Sequence, residues 1–192
     1  MLVTQRDNLA ESARLLRSHA MTSQTWDRHL GHAYSYDVVE LGYNYRIDEM
    51  RSALGLVGLE QLETNNARRE SLTRAYWKAL AESGLGLPFK KYAKNQNNCG
   101  AYHIFPILLP PNIKRSAFMN HLRESGIQTS IHYPPIHQFS HHHRHITNIH
   151  LPQTDRVAAS EVTLPLYPTM SDKQLDMVIS TVGQALNGNN IY

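Results

Sequence analysis

From Ile47 to Ser83 apolar side chains recur at helical spacing over a length that few elements other than a long helix can use. Ile47, Met50, Leu54, Val57 and Leu62 fall on one side at three-, four- and five-residue steps. Asp48 is placed to cap the first turn and Glu49 to sit inside it. Ala53, Gly55 and Gly58 add small residues that suit close packing against another element. A continuation from about Arg68 to Ser83 carries Leu72, Ala75, Tyr76, Ala79 and Leu80, and Gly84 is a natural stop. A helix of this length is expected to act as a spine between two lobes.

The segments around the spine are shorter. Residues 1 to 4 have the composition of a short strand, and Asp7 to Arg17 reads as a helix with Leu9, Ala13 and Leu16 on one side. Ser18 to Leu41 shows no sustained period and reads as a long loop. After Gly84, a stretch rich in Gly, Lys and Asn marks a lobe boundary or exposed loop. Ala101 to Leu109 predicts a strand, with Pro106 arguing for an edge position or a bulge. Lys114 to Ser125 predicts a helix ended by Gly126, and Ile127 to Ile131 alternates as a second strand. A short helix over Thr154 to Glu161, a third strand over Val162 to Leu166 and a terminal helix over Ser171 to Leu186 complete the chain. Ser171 and Gln174 stand at capping-box spacing. The expected class is therefore α/β, with an α+β C-terminal lobe.

Charge and composition exclude several functions. At 192 residues with 41% hydrophobic and 18% charged side chains, a packed core is accessible. The net charge of +3 is dispersed among both signs, which argues against nucleic-acid binding. No apolar run approaches a membrane span, and Cys99 stands alone, so no intramolecular disulfide forms; a soluble cytoplasmic protein is expected. His132, His137, His141, His142, His143, His145 and His150 crowd one region, yet they lack cysteine partners and the HExxH spacing of a metal site. No nucleophile elbow, P-loop or dinucleotide fingerprint occurs.

Three polar clusters remain. Tyr43, Asn44, Tyr45 and Arg46 open the spine helix, where an anion would meet backbone N–H groups, the helix dipole and a guanidinium; the same residues also suit a hydrogen-bonded helix entry. In IHYPPIHQ, residues 131 to 138, two prolines fix a loop carrying His132 and His137, a site or simply a stiff turn. TLPLYPTM, residues 163 to 170, reads as core packing.

In this order the segments resemble the C-terminal half of the DegT/StrS family of nucleotide-sugar aminotransferases, enzymes of the aspartate-aminotransferase architecture (fold type I) that use pyridoxal 5'-phosphate. The most specific stretch is LGYNYRIDEMRSALGLVGLEQLE with Arg68 and Arg69; RLLRSHAM, AYHIFPILL, ESGIQTSIHYPPIH and LPLYPTMSDKQLD follow in matching order. The resemblance implies that residues 1–85 are the remnant of a large cofactor-binding domain with its interface loop and spine, and 86–192 a small C-terminal domain. It implies that Asn44 reaches across a dimer interface to the cofactor phosphate, and that Tyr43, Arg46, His132, Tyr133 and His137 contact substrate. A nucleotide sugar and an amino donor such as glutamate are the implied ligands. A homodimer, or pairing with a full-length subunit, is the implied assembly. In the family the lysine that binds the cofactor covalently precedes the position of Met1, as do the aspartate on the pyridine nitrogen and the residue stacked on its ring. Lys78, Lys90, Lys91, Lys94, Lys114 and Lys173 stand in no matching context. The chain alone is thus expected not to transaminate; the alternative is a non-catalytic module that dimerises with a full-length paralogue.

Overall fold

The computed structural model describes residues 2–22, 36–90, 100–145 and 149–188, and divides the chain into two units, Met1–Glu60 and Gln61–Tyr192. Cys99, Lys91, Lys94 and much of the long loop expected over Ser18 to Leu41 lie outside the described residues.

In the first unit, helix α1 spans Asp7–Leu16 and buries no side chain completely. The chain then reverses through His19 and Ala20, both at positive φ (62° and 52°). Two isolated antiparallel bridges, Ser18 with Asn44 and Met21 with Val38, bind the segment after α1 to the segment that leads into the next helix. The crossing is held by the N–H of His19 donating to the Tyr43 carbonyl (2.9 Å) and that of Tyr45 to the Arg17 carbonyl (2.9 Å). Residues 2–4 form no strand, contrary to expectation: Leu2 and Val3 stand exposed with no neighbouring strand among the described residues. Helix α2, Glu49–Glu60, begins as expected at Asp48, whose Oδ1 accepts the Arg51 N–H at 2.8 Å. Its apolar side finds no cover within the described chain. Met50 is 79% and Leu54 73% exposed, and nothing approaches a Cβ built at Gly55 or Gly58.

The second unit starts with α3, Leu62–Ala79, so the expected spine is assigned as two helices that part at Gln61. The two units divide at residue 60. The physical reason is that α3 buries Leu72, Thr73, Tyr76 and Trp77 in the core of the later lobe. There the Tyr76 ring stacks on Phe105 at 4.5 Å between centroids. Gly84 ends the turn after α3 at φ 77°.

Strand β1, Phe105–Leu108, pairs antiparallel with β2, Glu161–Leu164, in the register Phe105 to Leu164 and Ile107 to Val162. Leu108 exchanges both backbone hydrogen bonds with Gly86 on the side away from β2. Pro106 has the same parity, so its missing N–H removes nothing from the ladder to β2. Helix α4, Arg115–Glu124, closes with Gly126 at φ 78°: the Gly126 N–H donates to Arg123 and the Ile127 N–H to Leu122, with Leu122 and Ile127 both buried. The strand expected over Ile127 to Ile131 reduces to one bridge, Ser130 with Thr163, and the backbone N–H two residues on, that of His132, donates to the Glu161 side chain instead of the strand backbone. A single 3-10 turn, Ile136–Gln138, and a short helix α5, Ser140–His145, follow, so the histidine run is helical. Helix α6 spans Pro152–Ser160, which places Glu161 in β2 rather than at the helix end expected for it. Helix α7, Asp172–Gly188, lays Leu175, Val178, Val182 and Ala185 against α3 and α4.

Candidate functional site

In the first unit the sequence motif around Asn44 is shaped by its neighbours on both sides. A Cβ built on Gly42 would lie 2.2 Å from the Ala20 nitrogen and the His19 carbonyl carbon, so only glycine allows the two backbones to meet. Tyr43 and Tyr45 stack at 5.2 Å with nearly parallel rings, and the Arg46 Nη2 donates to Ser18 Oγ at 3.1 Å. Asn44 is held by its backbone in the bridge to Ser18, while its side chain is exposed and takes no partner among the described residues. The anion reading of this entry is altered by what fills it. Asp48 already occupies the helix N-terminus, ion-paired with Arg51 Nε at 3.3 Å, and a second negative group there meets like charge. Of this cluster, the carboxamide of Asn44 takes no side-chain hydrogen bond among the described residues, and neither do the exposed hydroxyls of Tyr43 and Tyr45.

In the second unit, His132 and His137 are anchored by different elements. The backbone N–H of His132 donates to Glu161 Oε2 (2.9 Å), and its ring Nδ1 lies 2.8 Å from Thr163 Oγ1. Thr163 Oγ1 is in turn 2.5 Å from Glu161 Oε1. Glu161 and Thr163 are both buried, so the loop residue is tied to a carboxyl group and a hydroxyl withdrawn from solvent. His137 Nε2 pairs instead with Asp155 Oδ1 (3.0 Å) on α6, an oxygen that also accepts from Gln138 Nε2 (2.8 Å). Tyr133 is 75% exposed, its ring edge-on to His132 at 4.7 Å. Ser130 lines a cavity of about 430 Å³ together with Pro165, Tyr167, Met170 and Gln174. The segment from Thr163 to Met170 holds the core as expected. Leu164 and Met170 are buried, the Tyr76 hydroxyl donates to the Pro165 carbonyl (3.0 Å), and Arg68 Nη2 donates to the Met170 carbonyl (2.6 Å) and Asp172 Oδ1 (2.8 Å).

Glu161 and Thr163 escaped the sequence reading. The signal was the alternation in Glu161-Val162-Thr163-Leu164: the two apolar residues enter the core, and period two puts the polar pair on the opposite face of a strand buried throughout. Among the described residues no group of three or more His, Cys, Asp or Glu is placed to hold a metal; the side chains of His143 and His145 lie outside them. Of the described lysines, Lys90 donates to the Trp77 carbonyl. None lines the cavity beside Ser130 or a second of about 350 Å³ between Thr73, Trp77 and Phe105. No helix among the described residues is long and apolar enough to cross a membrane.

The folding pattern matches that of PseC, a Helicobacter pylori aminotransferase involved in the biosynthesis of pseudoaminic acid. The TM-score is 0.83 at 22% identity, over 97% of this chain and 48% of that one. The sugar aminotransferase CalS13 from Micromonospora echinospora matches at a TM-score of 0.79 and 27% identity, over 95% of this chain and 46% of that one. The fold is thus part of the architecture of the pyridoxal-phosphate-dependent sugar aminotransferases. Residues 1–183 match the DegT/DnrJ/EryC1/StrS aminotransferase family, and the chain belongs to that family. The uncharacterized protein MJ1066 of Methanocaldococcus jannaschii is 27% identical over 197 residues, 98% of this chain and 50% of that protein. The chain spans about half the length of these relatives.

Proposed function

We propose that these 192 residues form the C-terminal portion of a pyridoxal-phosphate-dependent aminotransferase acting on keto-sugar nucleotides in polysaccharide or deoxyamino-sugar biosynthesis. In this reading residues 1–85 belong to the large domain, residues 86–192 form the small one, and the assembly is a dimer in the cytoplasm. The observation that carries it is the free carboxamide of Asn44, held at a fixed backbone position in the family's most specific segment. Asn44 donates to the cofactor phosphate of the partner subunit, Tyr43 and Arg46 border that site, and His132, Tyr133 and His137 contact the sugar nucleotide. The bound cofactor supplies the carbonyl that takes an amino group from a donor such as glutamate and passes it to the keto sugar. The residues of this chain bind and orient.

Covalent attachment of the cofactor needs a lysine at its carbonyl, and no lysine of this chain stands in such a context, so transamination requires one from outside these residues. Pyridoxal phosphate added to the purified chain is expected to give no stoichiometric cofactor absorbance band. A band that disappears when one lysine is substituted would falsify this. A second reading, a non-catalytic module that pairs with a full-length paralogue, draws on the uncovered apolar side of α2. It predicts co-elution with such a paralogue in size-exclusion chromatography, whereas an inert remnant elutes alone.

A further inference from the structure

We propose that Glu161 and Thr163 are positioning residues that hold the His132 imidazole as its Nδ1–H tautomer, leaving Nε2 as an outward hydrogen-bond acceptor for a hydroxyl or N–H group of the bound sugar nucleotide. The proton count carries the argument. Thr163 has one hydroxyl proton, and its oxygen touches two groups: Glu161 Oε1 at 2.5 Å and His132 Nδ1 at 2.8 Å. The hydroxyl donates to Glu161 Oε1, and its one proton is engaged there. The contact with His132 then has an acceptor on the threonine side and requires the proton on Nδ1. Glu161 is fixed in this role because its other oxygen accepts the backbone N–H of His132 itself, at 2.9 Å. Ser130 Oγ, 3.5 Å from Nδ1, is too distant to compete with the threonine.

The consequence falls on the other ring nitrogen. In the neutral ring the tautomer makes Nε2 an acceptor. Among the described residues Nε2 takes no partner, and it is not among the polar atoms sealed from solvent without one. The loop ends in Pro134 and Pro135, which restrict the backbone beyond the ring. A side chain that rotated freely would present donor and acceptor alternately, whereas this one presents a single hydrogen-bonding character. The ligand class rests on the aminotransferase reading, while the tautomer does not.

Long-range proton–nitrogen NMR correlations on the ¹⁵N-labelled chain, at a pH where the imidazole is neutral, read the tautomer directly. The expected result is a protonated Nδ1 for His132, against the Nε2–H form that free histidine favours. Thr163→Ser retains it, because the hydroxyl is kept. Thr163→Val transfers the proton toward Nε2, and Glu161→Gln weakens the preference, since an amide N–H can then occupy the threonine oxygen and release its hydroxyl. An Nε2–H ring in the unsubstituted chain overturns the proposal, as does an Nδ1–H ring that persists unchanged in Thr163→Val or Glu161→Gln with backbone dispersion intact. If Thr163→Val does not fold, the unsubstituted chain, Thr163→Ser and Glu161→Gln still decide the matter. The readout needs neither ligand nor turnover, so a failed aminotransferase reading, seen in cofactor binding, is distinguished from a failed tautomer assignment.

Discussion

Gly42 is the residue on which the candidate phosphate contact depends, because Asn44 can be displayed only if the backbone two residues earlier lies against His19 and Ala20. Substitution Gly42→Ala forces a Cβ into backbone atoms that have no side-chain freedom to yield. A loss on the order of 3 kcal/mol is expected in the first unit. Amide exchange at His19, Tyr43 and Tyr45 reports it: protection lost there, with the second unit unaffected, is the expected outcome. If Asn44 holds the cofactor phosphate as proposed, Asn44→Ala leaves the fold alone and removes one hydrogen bond to a charged group, about 1.5 kcal/mol or roughly tenfold in cofactor affinity. Equilibrium binding of pyridoxal phosphate to the chain paired with a full-length family subunit measures it, and unchanged affinity removes Asn44 from the site. Tyr76 provides a pH-dependent case. Burial, and to a lesser degree Tyr167, raises its pKa above the ordinary 10.0. The folded chain then holds the phenol proton more tightly than the unfolded one, so this contribution is complete below about pH 10 and is lost as pH rises above it. The stability advantage over Tyr76→Phe in urea is expected to shrink above pH 10; parallel curves would refute the assignment.

Among the elements, the helix ends were the most legible. Ser171 and Gln174 close a capping box on α7, with the Gln174 N–H donating to Ser171 Oγ (3.2 Å) and the Ser171 N–H to Gln174 Oε1 (2.9 Å). Ser171→Ala is expected to cost about 1 kcal/mol in chemical denaturation. Asp48 and Gly126 fulfilled their expected roles for the same reason, each acting on backbone within a few residues of itself, whereas the helix expected to run to Gly84 ends at Ala79. Strands were less legible. The expected strand over Ile127 to Ile131 has the right alternation but pairs through Ser130 alone, since pairing depends on where a distant segment runs. The polar face of β2 was invisible for a related reason, as alternation shows two faces without saying what covers the second. His132, brought in by the loop after α4, joins Glu161 and Thr163 in one hydrogen-bonded cluster.

On the scale of the whole molecule, the apolar side of α2 is the feature that most needs a partner. Met50, Leu54 and Val57 follow the repeat of a buried helix, yet all are exposed. Sedimentation velocity is expected to show concentration-dependent association of the chain, reduced by Leu54→Lys, with no change in the unfolding midpoint of the second unit. A monomer at all concentrations would count against the dimer proposed above. Family membership was legible because the motifs recur in order along nearly the whole chain, from RLLRSHAM to LPLYPTM. The residue identities by themselves determined most of the helices, the caps at Asp48, Gly126 and Ser171, and the small α+β lobe, because helix periodicity and turn chemistry act locally. Only the tertiary structure decided that α3 packs its buried face in the core of the later lobe, that Ser18 bridges to Asn44, and that His132 rests on a buried glutamate and threonine. Each of these depends on contacts between residues far apart in the chain, whose energies exist only once the packing has brought them within a few ångströms.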